Sequence, residues 1–172
     1  PGVVNDRLAG LQARGVTEPR KCIEQAPAIL GLTLDSIDSK IKVLSERGFD
    51  DPRELIEKAP FLLNLSAATF DAKIQSLVAL AFTDPKKLIR KYPRILAIAS
   101  ESLAKKIQDL TDRGFRDPIK LIEQTPSILG LSPETIDTKI QGLKDRGFKN
   151  PNKLIEKQAS IINLSLPTID EK

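Results

Sequence analysis

The chain has 172 residues, with 27 Lys and Arg against 23 Asp and Glu for a formal charge of +4. Its 40% hydrophobic and 29% charged content describes a folded chain rather than a disordered or fibrous one. With no histidine and one cysteine, the sequence excludes His-based acid–base catalysis, His metal ligation, an internal disulfide and a zinc site built on several thiolates. No apolar run reaches the roughly 20 residues that span a bilayer. No cofactor, metal site or enzymatic activity is expected, and the chain is read as one that works by binding. It begins at Pro1 and contains no Met, so it is read as a mature or excised stretch, and a missing leader says nothing about targeting.

Val4, Leu8 and Leu11 open the chain at i, i+4 and i+7, the apolar stripe of an amphipathic helix that ends at Arg14-Gly15-Val16. From there everything recurs. Prolines stand at 19, 52, 85, 118 and 151, each 33 residues after the last, and a second series at 27, 60, 93 and 126 gives way to Ala159 in the final copy. The stripe returns as Ile37/Ile41/Leu44, Phe70/Ile74/Leu77, Leu103/Ile107/Leu110 and Ile136/Ile140/Leu143. A fixed period over nearly the whole chain, with no insertion, marks an all-α solenoid.

The copy 118–150 shows the anatomy. Asp117 caps a short helix whose first residue is Pro118, where the missing N–H costs nothing. Pro126 ends it by disfavouring α geometry in the residue before, and 127–131 is a tight connector, one irregular or 3₁₀ turn. Ser132 caps a long helix to Arg146, Gly147 takes the left-handed position beyond its end, and Phe148 makes the hydrophobic contact after it. Long helices are predicted near 34–47, 67–80, 100–113 and 133–146, with Gly48, Gly114 and Gly147 at positive φ and Ala81 as the weakest turn. The chain is read as a single repeat domain, 1–172: a partial copy 1–18, complete copies 19–51, 52–84, 85–117 and 118–150, and a partial copy 151–172.

Cys22 takes the place held elsewhere by Leu55, Leu88, Leu121 and Leu154, so it is read as a core residue. Asp38, Asp71, Asp137 and Asp170 recur one per long helix without His partners, and are read as hydrogen-bonding or solvated rather than metal-binding.

Lys40, Lys73, Lys106 and Lys139 recur one per long helix, with Lys172 continuing the series, and Arg47, Arg113 and Arg146 follow seven residues later. At about 100° per residue they share one flank beside the apolar stripe. Such a row either covers apolar surface with lysine methylenes or meets backbone phosphates. The copy 85–117 carries +5, from Lys86, Lys87, Arg90, Lys91, Arg94, Lys105, Lys106, Arg113 and Arg116 against four acids. The cluster Lys86, Lys87, Arg90, Lys91 and Arg94 is a second candidate contact set. Positions that differ between copies are Ala28, Phe61, Arg94 and Ser127, and Gly31, Asn64, Ala97 and Gly130; they either carry specificity or drift. Most Phe residues fall at the turn position, which packing explains better than base stacking.

The run Pro126-Ser127-Ile128-Leu129-Gly130-Leu131-Ser132, followed by Ile136, Lys139, Ile140, Leu143 and Gly147-Phe148, resembles the repeat of the mitochondrial transcription termination factor family. Matching segments begin at Pro27, Pro60 and Pro93, so the resemblance covers nearly all of the chain. It implies a curved superhelix with three helical pieces per repeat, a basic path for double-stranded DNA formed by Lys40/Arg47, Lys106/Arg113 and Lys139/Arg146, and a role in transcription regulation or termination. It implies a mitochondrial or plastid setting; the uniform period leaves room for a bacterial relative. RNA and a protein partner, on a scaffold-type solenoid, are the alternatives; a membrane is not.

Overall fold

The computed structural model describes residues 2–170, the side chain of Asp170 excepted. Within these residues helix is the only regular secondary structure. The helices are α1 (Val3–Ala13), α2 (Pro19–Gln25), α3 (Leu34–Glu46), α4 (Pro52–Lys58), α5 (Ala67–Ala79), α6 (Pro85–Lys91), α7 (Ser100–Asp112), α8 (Pro118–Gln124), α9 (Pro133–Asp145), α10 (Pro151–Lys157) and α11 (Leu166–Asp170). A five-residue 3₁₀ segment follows each short helix, at Pro27–Gly31, Pro60–Asn64, Pro93–Ala97, Pro126–Gly130 and Ala159–Asn163. The fold is thus an α-solenoid of short helix, 3₁₀ turn and long helix. The long helices end one residue earlier than the spacing predicts, because Arg47, Arg113 and Arg146 are the capping residues themselves.

Local chemistry sets each boundary. Asp51, Asp84, Asp117 and Asn150 accept hydrogen bonds from the backbone N–H three residues on, with proline at the first helical position. Thr33, Ser66, Ser132 and Ser165 cap long helices in the same way, which satisfies an N–H the helix itself cannot. Ala99, before α7, supplies no such bond. The kink before each 3₁₀ segment has φ near −140° and ψ near 75° at Thr125 (−136°, 77°) and equally at Gln158 (−135°, 80°). Gln158 precedes Ala159 rather than a proline, so the kink there is held without one, by the Gln158 N–H donating to the Leu154 carbonyl at 2.9 Å and the Ile161 N–H to the Gln158 carbonyl at 3.1 Å.

Each long helix closes in a left-handed turn. Phe115 N–H donates to the Leu110 carbonyl at 3.2 Å and Gly114 N–H to that of Thr111 at 2.8 Å, the paired bonds of a Schellman ending. Gly48, Gly114 and Gly147 have φ of 83°, 84° and 86°, and Ala81 takes φ 66°. That conformation brings the Ala81 Cβ against its own carbonyl, at roughly 1–2 kcal/mol.

The chain groups into two compact units, Pro1–Ser76 with Asp84–Ala97, and Leu77–Thr83 with Ile98–Lys172; α5 contributes to both. In the first, Leu11, Ile29, Ile37, Phe49, Leu63 and Ile89 are almost wholly buried, and Phe49 meets Phe70 edge-on with centroids 5.6 Å apart. In the second, Leu110, Ile122, Ile128, Ile136, Leu143 and Ile155 form the core. Cys22 is 1% exposed, and burial pushes its thiol pKa up, as expected of a core thiol. Phe49, Phe82 and Phe115 are buried, whereas Phe148 is 40% exposed.

Neighbouring long helices match in size at one register position. A Cβ on Gly10 would lie 2.3 Å from a Leu34 methyl, and one on Gly142 would lie 2.5 Å from a Leu166 methyl. Where the glycine is replaced by Val43, the residue 24 further on is Ala67 instead of leucine. The pair shares a fixed space between helices, so volume gained on one side is lost on the other.

Candidate nucleic-acid interface

The long-helix arginines come out as inter-repeat clamps. Arg14 grips Asp38 with Nε and Nη2, both at 2.6 Å. Arg113 grips Asp137 at 2.7 and 3.1 Å, and Arg47 grips Asp71 in the same two-pronged way. The remaining nitrogen, Nη1, turns back to the carbonyl four residues earlier: Gly10 for Arg14, Val43 for Arg47, Asp109 for Arg113 and Gly142 for Arg146. A guanidinium used in this planar fork is strongly oriented. The bonded guanidinium holds the carboxyls of Asp38, Asp71 and Asp137 below the usual carboxylate range. Asp170, the fourth of that series, has its side chain outside the described residues, as does Lys172.

The lysine series works beside these clamps. Lys40 Nζ donates to the Leu65 carbonyl, Lys106 to Leu131 and Lys139 to Leu164. In each case the acceptor is the residue that closes a 3₁₀ segment one repeat on. Lys139 is only 8% exposed. Burial pulls the ammonium pKa of Lys106 and of Lys139 down. Lys73 and Arg146 are likewise not free. On each long helix these residues share one flank, but their polar ends are engaged with the protein itself.

The second set differs. Lys86, Lys87, Arg90 and Arg94, on α6 and the segment after it, are all exposed, and among the described residues none of the four side chains makes a hydrogen bond or ion pair. Lys91 is exposed and has a partner. Arg90 borders an open groove with Phe49, Asp50, Glu54 and Lys58. Arg94 borders another, of about 280 Å³, with Gln25, Lys58, Phe61 and Ala97.

The charge of α6 has a local cause. In α4, α8 and α10 a glutamate reaches back to the turn before the preceding short helix. Glu57 accepts from the Thr17 N–H and hydroxyl, Glu123 from the Thr83 N–H at 2.6 Å, and Glu156 from the Arg116 N–H. Arg90 occupies that register position in α6, opposite Asp50. The α6 repeat therefore lacks the acid its siblings carry.

The variable positions lie on the 3₁₀ segments. Ala28, Gly31, Asn64, Arg94, Ala97, Ser127 and Gly130 are exposed and Phe61 is half-buried, so nothing in the core restricts most of them. Ser127 accepts a 2.8 Å hydrogen bond from the Asn163 amide one repeat on.

The clamp partners were missed in reading the sequence, although a signal was present. Arg and Asp stand 24 residues apart at 14/38, 47/71 and 113/137, and where Leu80 replaces the arginine, Ala104 replaces the aspartate. Paired loss in one copy points to paired contact in the others.

Among the described residues no group of His, Cys, Asp and Glu is arranged to hold a metal ion, and no helix is long and apolar enough to cross a membrane. Capped short helix, 3₁₀ turn and glycine-closed long helix, repeated at 33 residues, define a helical-repeat protein with an exposed basic cluster on one repeat. The mTERF family model matches residues 8–155, and the chain belongs to that family. Its members are generally non-enzymatic repeat proteins that bind nucleic acid, and transcription regulation fits the family generally. None of the curated proteins matches the chain.

Proposed function

We propose that this chain binds double-stranded DNA without catalysing a reaction, holding the phosphate backbone in a role in transcription regulation. The observation that carries the reading is the α6 cluster: Lys86, Lys87, Arg90 and Arg94 are exposed cations without a carboxylate partner, in a chain whose other repeats carry charges between −1 and +1. Unpaired cations release condensed counterions when they meet phosphates, and paired ones must first break an internal bond. The long-helix set Lys40, Arg47, Lys73, Lys106, Arg113, Lys139 and Arg146 is the competing contact group, ranked second because its polar ends are already engaged within the protein. Lysine ammonium carries three donors, so one internal bond leaves two for a ligand where the group reaches solvent. The aromatic content of 4% favours a duplex held by its backbone over single strands held by stacked bases.

The test is a salt titration of binding to mixed-sequence duplex DNA, single-stranded RNA and duplex RNA. Duplex DNA should bind most tightly, with little sequence preference, and log K should fall linearly with log salt by about 0.9 per phosphate contact. Tighter binding to either RNA overturns the DNA reading. No binding to any of the three at low salt overturns nucleic-acid binding and favours a protein-binding scaffold.

A further inference from the structure

We infer that the phosphate-facing surface of this chain is its short-helix face, formed by the short helices and the 3₁₀ segments after them, and not the flank of the long helices. The inference rests on the nucleic-acid reading above and deepens it by naming the surface.

The charge is divided by layer. The five short helices with their 3₁₀ segments hold twelve Lys and Arg against five Glu, whereas the long helices with their capping arginines hold twelve of each sign. The state of those charges widens the contrast. On the long helices the arginines are closed onto aspartates and Lys40, Lys106 and Lys139 onto carbonyls. An Arg–Asp pair presents a dipole, whose field fades within a few ångströms. A lysine closed onto a carbonyl keeps its charge but has one of its three donors occupied, while an unpaired, exposed cation acts out to the Debye length of about 8 Å.

On the short helices Lys21, Arg53, Lys58 and Lys91 have partners, but most of the acids are engaged as well. Glu57, Glu123 and Glu156 accept backbone N–H groups, and Glu54 holds Lys58 at 2.5 Å. In the first unit this leaves Lys86, Lys87, Arg90 and Arg94 without partners. In the second, Lys120, Lys153 and Lys157 are exposed and make no side-chain bond among the described residues. Short helices of neighbouring repeats also share surface: Lys58 of α4 and Arg94 line one groove with Phe61 and Ala97. Within the first unit the cations of α4, α6 and the segment after it therefore lie together, beside the positions that vary between copies. A polyanion is the ligand that fits such a cluster.

Two sets of substitutions separate the surfaces. Lys87→Gln, Arg90→Gln and Arg94→Gln together remove three exposed charges that hold nothing in place. If all three meet phosphate, the log–log salt slope should fall by about 2.7 and affinity at 0.1 M salt about 500-fold. Arg47→Gln with Arg113→Gln removes clamp charges and should leave the slope unchanged in the folded variant. Because the clamp variant removes two ion pairs of the fold, acetylation of lysines in the parent protein with and without duplex DNA supplies a second readout: Lys86 and Lys87 should be protected, and Lys105 and Lys144, exposed on long helices, should not. An unchanged slope in the short-helix variant, equal losses in the two variants, or protection of Lys105 and Lys144 with Lys86 and Lys87 left reactive would each overturn the assignment. Failure of the parent to bind DNA is a separate outcome and removes the functional reading beneath it.

Discussion

Gly147 and Gly130 offer a matched experiment on what closes each repeat. A Cβ added to either meets nothing within 4 Å, yet Gly147 has φ +86° while Gly130 lies outside the left-handed region. Substitution by alanine therefore changes no contact at either site and differs only in backbone conformation. At Gly130 the variant should gain about 0.4–1 kcal/mol, because the unfolded chain has fewer conformations to lose. At Gly147 the same gain is set against roughly 1–2 kcal/mol for placing a side chain in the left-handed region. The two variants should differ by about 1–2 kcal/mol, or roughly 2–8 °C in Tm for a chain of this size. Urea and thermal unfolding followed by circular dichroism read the difference directly. Ala81 supplies the reverse case: at φ 66° it already carries the strain, and Ala81→Gly should raise stability by about 1 kcal/mol. If Gly147→Ala proves as stable as Gly130→Ala, the strain argument for the turn is wrong.

Three further outcomes are expected. The carboxyls of Asp38, Asp71 and Asp137 have lowered pKa values in the folded chain, so the unfolded chain takes up protons first as pH falls. Their stabilisation is complete above the ordinary aspartate pKa of about 3.9 and lost as pH drops through the folded values; urea midpoints of Asp137→Asn should fall less on acidification than those of the parent. Lys106→Met removes the donor to the Leu131 carbonyl while keeping the aliphatic stem, and should cost about 1 kcal/mol in urea melts, with duplex DNA affinity of the folded variant unchanged if the short-helix face is the one that binds. Leu80→Arg with Ala104→Asp rebuilds the missing clamp, and a double-mutant cycle should show favourable coupling of roughly 0.5 kcal/mol; zero coupling would mean that the clamp needs more than its two ends.

The repeat, its helix boundaries and its turns were legible in the sequence because each is set by local chemistry repeated at a fixed interval. Proline fixes φ at the start of a short helix, Ser and Thr cap a long one, and glycine takes the left-handed turn. The periodic stripe likewise identified the core, since a residue on the same helical face in every copy meets the same neighbours; Cys22 was placed correctly on that ground alone. Which charges face a ligand was not decided locally. Lys106 and Arg113 look like surface cations until the next repeat brings the Leu131 carbonyl and Asp137 to them, 25 and 24 residues further on. Arg90 looks like one more basic residue until Glu57, Glu123 and Glu156 show what normally occupies its place. Helix period assigns a side chain to a face, but only packing between repeats decides whether its charge is already matched there, because an ion pair depends on ångströms between segments that the period leaves free.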